Sequence, residues 1–209
     1  MKAEDFIAGA VTMPLKLPVL AKMDSIDDLA RVVGAVNTIT VTTDKILVGS
    51  NTDAAGIRDA LKEVSETGRN LPGMVIGAGG ASRAAIYALL GYLDCSAMYV
   101  VNRDPEKTKR VVAEMVARGF ADAKEKIVVG CTPNNTPATQ DRRIPRYSRG
   151  WVTIDGIEVL GLQLLEQRQL WLDPKVPLPA HAARQLMRDL SIGSASLNVS
   201  SSVGFNQTL

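Results

Sequence analysis

In Val75-Ile76-Gly77-Ala78-Gly79-Gly80-Ala81-Ser82-Arg83-Ala84 an apolar, β-branched run gives way to three glycines and then to a helix-forming series. Strand, tight turn and helix start follow one another within ten residues. Gly77 permits the turn, and Gly79 and Gly80 let backbone amides approach an anion with no Cβ in the way. The helix start adds unpaired N–H groups and the positive end of a dipole. This is the setting in which a glycine-rich loop, here Gly77, Ala78, Gly79, Gly80 and Ala81, holds a pyrophosphate. The spacing is G-x-G-G rather than strict G-x-G-x-x-G, so on pattern alone an ordinary Gly-rich βα turn stays open.

Working outward, Gly73 to Ile76 reads as a buried strand and Ser82 to Leu90 as a helix. Ala97 to Val101 reads as a second strand, Pro105 opens a second helix, and Lys126 to Gly130 is a third strand. A β-α-β-α-β series with short links predicts a parallel sheet with right-handed crossovers. The second strand runs into Asn102-Arg103-Asp104, where the adenine ribose of a dinucleotide would lie. An acid there favours a free 2′-hydroxyl and an arginine a 2′-phosphate, so both NAD and NADP stay open. The alternatives are a solvated Arg103 and an Asp104 that caps the next helix.

Upstream, Pro14 and Pro18 prevent Ile7 to Leu20 from forming one helix. Asp27 to Val33 has helical character and stops at Gly34, a natural C-cap. Val36 to Val41 and Lys45 to Val48 read as a hairpin turning at Thr43-Asp44. Ile57, Leu61 and Val64 set a helical period over Ala54 to Val64, with Asp53 at its N-cap. Downstream, residues 132 to 150 read as a polar, basic loop, Ile157 to Leu172 as a helix, residues 180 to 190 as a short helix, and the Ser-rich end from Ser191 as a disordered tail. The expected division is 1–70, 71–150, 151–190 and 191–209.

The 209 residues are 46% hydrophobic and 22% charged, which suits a folded α/β protein with a sizeable core and excludes a disordered chain. A net charge of +2 gives no general reason to expect nucleic acid or an anionic membrane as partner. Arg142, Arg143, Arg146 and Arg149 are read as a solvated linker. No apolar run approaches the ~20 residues that span a bilayer. Two cysteines, Cys95 and Cys131, and one histidine, His181, make neither a disulfide framework nor a metal site, so none is expected. A reducing, cytoplasmic compartment is the expectation.

Two residues stand out for acid–base chemistry. Lys16 lies between prolines in the apolar stretch Val11 to Pro18, and Asp53 sits at a strand-to-helix transition. Both have bland alternatives, a solvated lysine and a helix cap.

Taken together, the motifs resemble a known family. Ala8-Gly9-Ala10-Val11-Thr12-Met13-Pro14-Leu15-Lys16 resembles the substrate-domain signature of the shikimate/quinate dehydrogenases. Gly34-Ala35-Val36-Asn37-Thr38 and Asn51-Thr52-Asp53 are similar to its next two signatures, in the same order. Gly77 to Ala84 and Asn102-Arg103 are similar to its cofactor signatures, and Gly156 to Gln163 to its C-terminal substrate-site helix. The wording TMPLKLPV and LEQRQLW is similar to fungal members. The resemblance implies a partial N-terminal α/β substrate domain, a Rossmann-like domain, and a C-terminal helical segment returning to the first. It implies reversible NAD(P)-dependent hydride transfer at a ring hydroxyl of shikimate or quinate. Lys16 and Asp53 match the catalytic pair, Thr12, Asn37 and Gln163 match hydroxyl-binding positions, and Asn102 and Arg103 join Gly77–Ala81 as cofactor positions.

The chain also departs from the family pattern. The family's opening βαβ segment with its Ser-x-Ser pair has no counterpart here, Ala10 stands where Asn is usual, and residues 132–150 replace further strands. The resemblance therefore implies a chain truncated at its N-terminus and internally deleted, with activity impaired. A competing expectation is a catalytically inactive regulatory or ligand-binding protein of quinate metabolism. Oligomeric state is left open.

Overall fold

Asp27 accepts the Ala30 N–H on its side chain and so starts helix α1 (Asp28–Val33), which ends at Gly34 in the left-handed conformation, φ 69°. The computed structural model that shows this describes residues 5–64, 70–130, 156–172, 175–177, 181–183, 185–187 and 189. The expectations for residues 132–150 and for the tail from Ser191 lie outside the described residues, as does Cys131. His181–Ala183 and Gln185–Met187, within the expected last helix, are helical.

Two sheets carry the described chain. The first contains β1 (Ala8–Ala10), β2 (Ser25–Ile26), β3 (Thr38–Val41) and β4 (Leu47–Ser50) in the order β1-β3-β4-β2. The expected hairpin is β3–β4, antiparallel, with Val41 opposite Leu47 and Lys45 at φ 61° in the turn. Helix α2 (Asp53–Val64) follows directly.

The second sheet is built from β5 (Gly73–Ile76), β6 (Met98–Val101) and β7 (Ile127–Gly130), all parallel and in that order. Helix α3 (Gly80–Tyr87), continued by a π-turn over Ala88–Tyr92, links β5 to β6. Helix α4 (Pro105–Ala117) and the short α5 (Asp122–Lys126) link β6 to β7. Val75, Ile86, Leu90, Met98, Val100, Val111 and Met115 form one buried cluster, each contributing roughly 1.5–3 kcal/mol by leaving water. Helix α6 (Gly156–Trp171) returns to the first unit and packs along α2.

Two expectations need correction. Strand β5 was expected to be buried, yet Ile76 is 65% exposed and Met74 37%. Met74 and Ile76 are two residues apart and so share one face of β5, and that face meets solvent, while Val75 on the opposite face is buried. Asp53 was expected at the N-cap of α2 but is its first helical residue. Its own N–H is capped by Asn51 Oδ1 at 3.1 Å, which leaves the Asp53 carboxylate for other partners.

The two units meet through small side chains. Val33, Ala35, Ala54, Ala84 and Ala88 form a buried cluster of residues from α1, α2 and α3 and their flanks, bordered by Tyr87 and Tyr92. Alanines let the helices approach closely, which draws the glycine turn before α3 toward the first sheet. Arg58 of α2 lies 5.0 Å from the Tyr92 ring centre. Its hydrogen bond to Asp59 raises the Arg58 pKa, while burial raises that of the Tyr92 phenol.

Candidate active site

Lys16 Nζ donates to Asp53 Oδ2 at 2.6 Å. The lysine side chain keeps 16% of its surface accessible and the aspartate only 5%, so Lys16 is the more accessible member of the pair. The backbone holds the lysine in place, because its carbonyl accepts the Val36 N–H at 2.9 Å, just before β3.

Asn37 organises the other side of Asp53. Its Nδ2 donates to Asp53 Oδ1 at 2.8 Å and to Thr52 Oγ1 at 3.0 Å. Its Oδ1 accepts from Thr52 N and from Thr38 Oγ1, each at 2.8 Å. Asn37 is 1% exposed. Every hydrogen-bonding group on this amide is thus engaged inside the protein. Asn51 completes the frame by donating to the Ala35 carbonyl at 2.9 Å. A carboxylate held by an ammonium and an amide has both oxygens oriented and its charge compensated.

The glycine turn faces this cluster. A Cβ built on Gly80, at the start of α3, would stand 3.5 Å from Lys16 Cβ and 3.7 Å from Lys16 Cδ. Helix α3 therefore begins against the lysine side chain. Gly77 has φ +117°, a conformation that side chains disfavour, and a Cβ there would lie 2.9 Å from Ser82 Oγ. A Cβ on Gly79 would meet nothing within 4 Å. The turn thus presents backbone and open space beside a helix N-terminus, which fits a dinucleotide pyrophosphate. At the end of β6, Asn102 Nδ2 donates to the Asp104 carbonyl at 2.9 Å, and Arg103 is exposed. Asp104 Oδ1 accepts the Lys107 N–H at 3.0 Å and so caps α4.

The remaining sequence-derived positions are less tightly bound to the cluster. Thr12 is exposed, and its carbonyl accepts the Leu15 N–H at 2.9 Å. Gln163 lies on α6 where that helix crosses α2. Its backbone nitrogen is 2.8 Å from where a Cβ on Gly56 would stand, so Gly56 makes the crossing possible. Sequence reasoning missed Gln167, one turn further along α6. It is 1% exposed, its Nε2 donates to the Asn37 carbonyl at 3.2 Å, and its Oε1 has no hydrogen-bond partner among the described residues. The i, i+4 spacing from Gln163 was the available signal. Among the described residues no helix is long and apolar enough to cross a membrane.

No family model matches the chain. A pentafunctional AROM polypeptide of Saccharomyces cerevisiae is 38% identical over 148 residues, covering 64% of this chain. The structure of the dehydroquinate dehydratase and shikimate dehydrogenase from S. pombe AroM is 29% identical, with a TM-score of 0.64 over 89% of this chain and 44% of that one. The chain is homologous to the shikimate dehydrogenase region of the AROM polypeptide and is similar in structure to shikimate dehydrogenases. A third match is the shikimate 5-dehydrogenase of Thermus thermophilus, in complex with NADP(H) and shikimate. It is 26% identical, with a TM-score of 0.64 over 89% of this chain and 80% of that one. The chain spans 9% of the length of the yeast polypeptide. Its fold is the α/β, Rossmann-like fold of shikimate dehydrogenases, with β5-β6-β7 as the parallel sheet.

Proposed function

We propose that this chain is a member of the shikimate/quinate dehydrogenase family and carries an NADP-dependent dehydrogenase site for shikimate, with quinate as the alternative polyol. The observation that carries the reading is the position of Lys16. Its methylenes lie against the first residue of α3, while its ammonium is held by Asp53. One side chain thus touches both the dinucleotide turn and the acid–base pair.

When bound, a nicotinamide dinucleotide supplies the ring that accepts or gives hydride. The protein's task is then the proton of the reacting hydroxyl. Lys16, the accessible partner, passes that proton between the hydroxyl and solvent, and buried Asp53 holds the lysine in the reacting geometry. Asn37 positions Asp53 from behind. Thr12 and Gln163 are the residues proposed to bind further ring hydroxyls, since neutral hydroxyls and amides both donate and accept.

The choice of NADP rests on the end of β6. Asp104 caps α4, and its second oxygen lies 3.6 Å from Arg110. An acid so engaged is poorly placed to take a ribose hydroxyl, while exposed Arg103 beside it is free to meet a 2′-phosphate. Calorimetry with NADP+ and NAD+, followed by turnover with shikimate and quinate, tests the reading. Tighter binding of NADP+ and turnover of shikimate are expected. Polyol binding without turnover would favour an inactive, ligand-binding member of the family.

A further inference from the structure

One buried charge lies outside the acid–base cluster. Arg83, in the first turns of α3, is 5% exposed. Its Nη2 pairs with Glu114 of α4, and its Nε and Nη1 have no hydrogen-bond partner among the described residues. A buried guanidinium with two orphan donors costs more than an apolar side chain of similar volume. Its role is therefore not explained by packing.

Its surroundings indicate what it does. A Cβ on Gly34 would stand 3.2 Å from Arg83 Nη1 and 3.2 Å from Arg118 Cζ. Two guanidinium groups of the dinucleotide unit thus converge on the C-terminal end of α1, the negative end of that helix. Arg118 Nη1 donates to the Arg31 carbonyl at 3.3 Å, and Arg31 Nη1 donates back to the Arg118 carbonyl at 3.5 Å. Beyond Gly34 the chain runs through Ala35, which accepts from Asn51, and Val36, which donates to Lys16, to Asn37. Backwards from Arg83 it runs through Ser82 and Ala81 to Gly80, which faces Lys16.

We propose that Arg83 is a positioning residue that couples the dinucleotide turn to the Gly34–Asn37 segment, so that a dinucleotide bound at the turn strengthens polyol binding beside Lys16. The N–H groups of its Nε and Nη1 are the contacts available when α1 and α3 move together, since the end of α1 carries carbonyls that lack helical partners. This coupling rests on the proposed dehydrogenase reading, because it needs a dinucleotide on one side and a polyol on the other. The clamp, Arg83 held between Glu114 and the Gly34 end of α1, needs no ligand.

Calorimetry on the full chain tests it. Shikimate affinity is measured alone and with saturating NADP+, for wild type, Arg83→Met, Arg83→Lys and Glu114→Gln. Wild type should bind shikimate at least about fivefold more tightly when NADP+ is present. Arg83→Met should bring that ratio to about one with each separate affinity little changed. Arg83→Lys should restore part of it, and Glu114→Gln, at a half-exposed partner, should give an intermediate value in a folded protein. An unchanged ratio in Arg83→Met, or a ratio of one in wild type, overturns the proposal. If wild type binds neither ligand, the dehydrogenase reading fails separately. Hydrogen exchange of ligand-free protein then decides on the clamp: faster exchange at residues 35–38 in Arg83→Met and Glu114→Gln supports it, and unchanged exchange in both overturns it.

Discussion

Lys16 and Asp53 stand 37 residues apart in the chain and meet at 2.6 Å. Removing the carboxylate should release the ammonium from its reacting position. Asp53→Asn is expected to lower kcat by about a hundredfold or more while changing KM less. Steady-state kinetics with shikimate and NADP+ checks this, and a loss confined to KM would assign Asp53 to ground-state binding.

Two glycines of one turn should fail differently. Gly77→Ala places a side chain at φ +117° and within 2.9 Å of Ser82 Oγ, so it should cost about 1–2 kcal/mol of stability. Gly79→Ala meets nothing within 4 Å and should leave the melting temperature nearly unchanged. Its methyl group would nevertheless project into the space proposed for the pyrophosphate, so NADP+ affinity should fall at least about tenfold. Thermal melting paired with calorimetry separates the two effects.

The crossing of α2 and α6 depends on Gly56. A methyl group there would stand 2.8 Å from a backbone nitrogen rather than from a mobile side chain. Gly56→Ala should therefore push α6 outward and destabilise the fold by about 1–3 kcal/mol. It should also raise KM for shikimate, because Gln163 moves with the helix. A melting temperature equal to that of wild type would contradict the close crossing.

Cys95 is buried, and its burial raises the thiol pKa. At neutral pH the thiolate fraction is correspondingly small. Iodoacetamide should leave Cys95 unmodified in the native protein and label it fully after denaturation, as read by peptide mass spectrometry. Rapid native labelling would show that the region around β5 and β6 opens readily.

What the sequence shows and what it hides follow from the range of the interactions. The glycine turn, the Asp27 and Asp104 caps and the Gly34 stop depend on neighbours in the chain, so they are legible residue by residue. The β3–β4 hairpin is equally local. The β2 strand is two residues long and is held by its pairing with β4, which leaves no periodic signal. The role of Asp53 was half visible. Its helical position suggested a cap, but Asn51 does the capping while Asn37, 16 residues away, takes one carboxylate oxygen. Gln167 reaches across 130 residues to Asn37, and only the return of α6 onto the first unit brings them together. Exposure of Ile76 could not be read locally either, because it depends on what packs over that face of the sheet.

The account stands most directly on one comparison. Purified wild-type chain and Lys16→Ala are each mixed with shikimate and NADP+, and formation of reduced cofactor is followed by absorbance. Turnover by wild type, lost by about a hundredfold or more in Lys16→Ala with NADP+ binding retained, is the predicted result. Equal rates in the two proteins would contradict a proton-transfer role for Lys16, and no reduction by wild type would contradict the dehydrogenase assignment.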